Sequence, residues 1–98
     1  MFILFFMVRY SNNTGLSLTD AIRITGASSH FESVEAEYLY IARHYGTKDA
    51  DYRIEEQHLI CDKGQHFDIL KIKLKNGERL SLFFDISESY SKFVINPQ

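Results

Sequence analysis

The chain reads as an α+β domain: two N-terminal helices packed on a three-stranded antiparallel meander, with room for an extra N-terminal strand and a short C-terminal helix. Three observations predict it. An Asn76-Gly77 pair separates two alternating apolar runs, residues 67–75 and 78–86, which is the strongest short-range hairpin signal because Asn and Gly tolerate the positive φ of tight turns. Ser29, followed three residues later by Glu32, opens an amphipathic stretch that closes at Gly46, the signature of a capped helix. The strand-like runs then follow one another at short spacing, and sequential strands joined by short turns pair antiparallel.

Residues 1–10 (MFILFFMVRY) begin with an apolar run far short of the roughly 18–20 residues that span a bilayer, and neither a basic leader nor a small-residue cleavage site accompanies it. A β-strand is the expected state, since Phe and Ile favour strands; an unstructured leader ahead of a second start at Met7 is the alternative. The small polar stretch 11–17 (SNNTGLS) is a loop. A short first helix is expected from Ser17 or Thr19 to about Thr25, capped by the hydroxyl, with Leu18, Ala21 and Ile22 facing inward and Gly26 ending it. The second helix is expected over His30–Tyr45. A 100° advance per residue puts Phe31, Val34, Tyr38, Ile41, Ala42 and Tyr45 on one apolar stripe, with acids early and Arg43 and His44 late, as the macrodipole prefers. Residues 47–51 form a loop, 52–61 a strand, and residues 87–93 a short terminal helix.

Parity fixes the hairpin. A two-residue Asn76-Gly77 loop would put Lys71 and Lys73 on the face of Leu80 and Leu82. A three-residue loop with Gly77 as the left-handed residue of a bulge instead pairs Leu74 with Glu78, Ile72 with Leu80 and Leu70 with Leu82. The opposite face then carries Lys71, Lys73, Ser81 and Arg79 near that turn, and Phe67, Ile69 and Phe83 near the DKGQ turn. A half-apolar outer face needs a cover, supplied either by the N-terminal strand and the C-terminal helix or by a second copy of the chain, since contiguous exposed apolar patches mark interfaces. The leading expectation is therefore a small protein-interaction module that self-associates as a homodimer through Phe67, Ile69 and Phe83.

Composition bounds the alternatives. Ninety-eight residues at 45% apolar content suit a single domain spanning 1–98. Eleven Lys and Arg against 13 Asp and Glu leave a net charge of −2, which argues against nucleic acid and anionic membranes as partners. The single Cys61 cannot form an internal disulfide, which favours a reducing, cytoplasmic setting. The basic stripe Lys71, Lys73 and Arg79, with Phe83 to stack a base, is the nucleic-acid reading; Glu55 and Glu56 on the neighbouring strand would neutralise it. A helix-turn-helix reading of 20–41 fails because Glu32, Glu35 and Glu37 would meet phosphates with like charge.

One polar row remains a candidate for a small ligand-binding domain or an enzyme. Glu37, Tyr40 and His44 stand on adjacent helical turns, where a carboxylate can orient an imidazole for acid and base chemistry. Ser28, Ser29 and His30 read as a helix start, with Ser29 as the cap. Cys61 with His58, His66 and Asp68 invites a metal or thiol reading, but strand alternation sends residues 58 and 61 to opposite faces. No Walker, zinc-protease, CxxC or EF-hand pattern occurs, so the sequence asks for no metal and no cofactor.

Overall fold

Residues 22–25 (IRIT) alternate buried and exposed positions, with Ile22 and Ile24 fully buried, and β-branched residues at period two make a strand. The helix expected over 17–25 does not form. A computed structural model, which describes residues 8–94 with side chains through residue 90, shows instead β1 (Arg9–Tyr10), β2 (Ile22–Thr25), α1 (His30–Tyr45), β3 (Tyr52–Asp62), β4 (Gln65–Leu74), β5 (Arg79–Asp85) and α2 (Ser87–Val94). The expected pair of N-terminal helices on a three-stranded antiparallel meander is thereby corrected to a five-stranded mixed sheet in the order β1-β2-β5-β4-β3.

The meander β3-β4-β5 is antiparallel, whereas β2 joins β5 in parallel, Ile22 opposite Phe84 and Arg23 opposite Asp85. β5 would otherwise present an open edge of backbone N–H and C=O groups, and β2 satisfies them. β1 continues the sheet antiparallel to β2. The expected N-terminal strand is described only at Arg9–Tyr10, and residues 1–7 lie outside the described residues.

The loop before β2 owes its shape to Asp20. Its carboxylate accepts from Asn13 Nδ2 (3.1 Å), Thr14 N (3.0 Å) and the Thr14 hydroxyl, and these bonds hold its pKa below the usual carboxylate value. Asp20 therefore knits 13–20 together.

α1 has the expected bounds. Ser29 Oγ accepts from Glu32 N (3.2 Å), Glu32 reaches back to Ser28 N (2.8 Å), and Gly46 N closes on Ala42 O (3.0 Å). The buried face is not the expected one. Ser33, Ala36, Glu37 and Ile41 point inward, whereas Phe31 is 70% exposed and Ala42 is exposed, a rotation of about one residue, roughly 100°. Polar residues occupy the inner stripe, which an apolar periodicity argument cannot see.

The hairpin at Asn76-Gly77 adopts the bulged form: Ile72 pairs with Leu80 and Leu70 with Leu82, Gly77 has φ 92°, and Leu74 N bonds Glu78 O at 2.7 Å. At the other end, Lys63 (φ 53°) and Gly64 (φ 80°) close Asp62 against Gln65, the two positive φ values of a type I′ turn. A lysine is an uncommon occupant of that region, so Lys63→Asn is expected to gain about 0.5–1 kcal/mol, part of the roughly 1–2 kcal/mol that left-handed backbone costs an ordinary residue. A higher urea midpoint at unchanged slope is the readout.

Both helices lie on one sheet face. Ile22, Ile24, Leu70, Ile72, Leu82, Phe84 and Ile86 form the core there with Ala36 and Ile41 of α1, and the Ser33 and Ser89 hydroxyls bond α1 to α2.

Candidate functional site

Strand parity divides the polar and apolar residues of the sheet between two faces. A register shift between Ile54 and Glu56 switches the parity of β3, so that Tyr52 and Ile54 share the helix-covered face with Gln57, Leu59 and Cys61. On the helix-free face, Phe67, Ile69, Lys71 and Lys73 of β4 run beside Asp85, Phe83, Ser81 and Arg79 of β5.

Phe67 is 5% exposed. The loop before β2 wraps that end of the face: Leu18, Ala21, Arg23, Phe67 and Asp85 line one cleft, and Phe83 N donates to Gly15 O at 2.7 Å. Ile60, Ile69 and Phe83 are half-buried on the same face, and Leu16, next to Gly15, is 55% exposed. The expected trio Phe67, Ile69 and Phe83 thus shares a face, with Phe67 under the loop and the other two partly open.

Toward the Asn76-Gly77 turn the face is ionic. Arg79 Nε donates to Glu55 at 2.9 Å, while Glu56 takes Lys71 at 3.5 Å and His58 Nε2 at 2.8 Å. Because the carboxylate only accepts, that contact places the His58 proton on Nε2. Arg79 holds the Glu55 carboxyl below its usual value, and His58, then Lys71, do the same for Glu56. Lys73 stands opposite both Arg53 and Arg79. The stripe Lys71, Lys73 and Arg79 therefore exists as a row, with acids interleaved at two of its three positions.

The helical row Glu37, Tyr40 and His44 divides. Tyr40 and His44 stack at 4.0 Å, and His44 Nδ1 bonds the Tyr40 carbonyl at 2.9 Å, so Nδ1 carries the proton. The Tyr40 ring also meets Tyr10 at 5.3 Å and Phe84 edge-on at 5.6 Å, and Tyr10 Oη donates to Ala36 O at 2.7 Å. Glu37 turns to the sheet. It is fully buried, neither carboxyl oxygen has a hydrogen-bond partner as an anion among the described residues, and it faces Asp68 of β4, itself 4% exposed. Burial first, and the Asp68 carboxyl second, push the Glu37 pKa well above the usual carboxylate range.

That carboxyl pair was not visible as a pair in the sequence, although Asp68 carried a signal. It occupies the parity of Leu70 and Ile72 on β4, where a charge is out of place in an apolar stripe. Of the residues grouped around Cys61, register puts Cys61 opposite His66 on the helix-covered face and His58 opposite Ile69 on the other. The His66 ring stacks on Tyr90 at 4.0 Å. Cys61 is an exposed free thiol. Among the described residues, no three His, Cys, Asp or Glu side chains converge to hold a metal ion, and no helix is long and apolar enough to cross a membrane. Comparison of the chain with protein-family models, with curated proteins and with solved structures finds no match.

Proposed function

We propose that this chain is a protein-interaction module that pairs with a second copy of itself through the helix-free face of its sheet. The observation that carries the reading is the one-sided placement of the helices, which leaves Ile60, Ile69 and Phe83 only half-buried on a face with no second layer among the described residues. A lone sheet with one apolar flank is stabilised by covering it. Leu16 extends the apolar area at its margin, and the interleaved charges beyond it give a rim in which neither sign dominates, so two copies are not forced apart. The exposed Cys61 and the absence of any second cysteine in the chain suit a reducing compartment, and the proposal places the module in the cytoplasm.

Sedimentation velocity at micromolar concentration tests it. The wild-type chain is expected to run as a dimer, and Ile69→Lys or Phe83→Lys as a monomer with unchanged circular dichroism, because each puts a charge at the centre of the patch. A monomeric wild type would sink the reading.

A further inference from the structure

We propose that Glu37 and Asp68 form a proton-operated latch between α1 and the sheet: one proton held between the two buried carboxyl groups keeps α1 docked, and its loss to water loosens the helix. The geometry carries this. Glu37 lies in the middle of α1 with no solvent exposure, and Asp68 lies on β4 directly beneath the helix layer. Two carboxylates at close quarters cannot both be ionised without strong repulsion, whereas a protonated one donates to the other and both are satisfied. As an anion, Glu37 has no hydrogen-bond donor among the described residues.

Several described cations are engaged elsewhere, Lys71 with Glu56, Arg79 with Glu55 and Arg23 with Asp85. The titratable groups on the elements packed about Glu37 are few. β4 offers Asp68, with His66 two residues along the same face, and β3 offers Cys61 opposite His66 beside the neutral Gln57. β1 offers Tyr10, which is bonded to Ala36 O, and α2 offers Tyr90, stacked on His66. α1 itself adds Tyr38, bonded to Gln57 at 3.0 Å, and Glu35. β2 and β5 present Ile22, Ile24, Leu82 and Phe84 to the helices. Asp68 is the group whose charge bears on Glu37.

The sign follows from linkage. Glu37 binds its proton more tightly in the folded chain than in the unfolded one, so the folded state is favoured at acid pH. That advantage is lost progressively as pH rises from the ordinary glutamate range to the raised folded value. Glu37→Gln keeps the shape and the donated hydrogen bond without the titration.

The test is chemical denaturation of the full chain between pH 5 and pH 9, together with amide exchange at Tyr40 and Ile41 corrected for the intrinsic rate. In the wild type the unfolding constant is expected to rise by up to about tenfold per pH unit across part of that range, the slope of one linked proton, with Tyr40 and Ile41 losing protection before Leu70 and Leu82. In Glu37→Gln the extra slope disappears. Parallel pH profiles for the two chains would overturn the latch. If Glu37→Gln does not fold, the carboxyl carbon resonance of Glu37 in the labelled wild type decides: titration well above the ordinary glutamate range supports the latch, and titration within it overturns it.

Discussion

Phe84→Ala is expected to cost about 3–5 kcal/mol, the range for removing a fully buried phenylalanine. Phe84 has no exposure, and its strand pairs with β2 on one side and β4 on the other, so its ring stands where the parallel and antiparallel halves of the sheet meet. Tyr40 packs against it edge-on. The cavity left behind would touch both β2 and α1, and neither can collapse into it without leaving its hydrogen-bonded partners. A domain of this size has about 5–15 kcal/mol of total stability, so the variant would lose a large share of it. Denaturant unfolding is the measurement, and a loss below about 1.5 kcal/mol would show that the ring is not at the centre of the core.

Gly46→Ala is the second large effect, at about 2–4 kcal/mol. Gly46 ends α1 with φ 108° and ψ −145°, a region in which a residue with a Cβ stores about 1–3 kcal/mol of strain. A Cβ there would lie 2.9 Å from Asp51 Cβ and closer still to its carboxylate. That carboxylate accepts from Thr47 N at 2.7 Å, and the Asp51 backbone bonds Thr47 O and Lys75 N, so a displaced Asp51 would also disturb the joint between α1 and the hairpin. Thermal unfolding measures the loss. In an Asp51→Ala background the same substitution should cost less, because the collision is relieved while the backbone strain stays.

The features legible in the sequence are the ones encoded over a few residues. The bounds of α1 follow from Ser29, Glu32 and Gly46, and the bulged turn follows from counting parity on either side of Asn76-Gly77. β2 is not legible because its hydrogen-bond partner is β5, at the far end of the chain, and the alternation of IRIT runs for only four residues. The orientation of α1 escaped for a different reason. Apolar residues lie on both its faces, and on the inner one Ala36 and Ile41 are interrupted by Ser33 and Glu37, which hydrophobic patterning scores as solvent-facing. The Glu37 and Asp68 pairing is the same failure seen from the sheet. Asp68 stands out alone as a charge in the apolar stripe of β4, but its partner does not, and only the docking of α1 on β4 brings the two together. Alternation puts Phe67, Ile69 and Phe83 on one face, as the register does, and says nothing of the loop that wraps Phe67.

The parallel pairing of β2 with β5 also has a temporal side. Hairpin contacts between β3, β4 and β5 close over short stretches of chain, whereas Ile22 must find Phe84 and Gly26 must find Glu88, separated by 62 positions. Closing so long a loop costs entropy that is recovered only after the partner strand exists. During synthesis β2 emerges early and waits with Ile22 and Ile24 unburied until β5 and α2 have left the ribosome. The strand of the core that is made early is among the last to be completed.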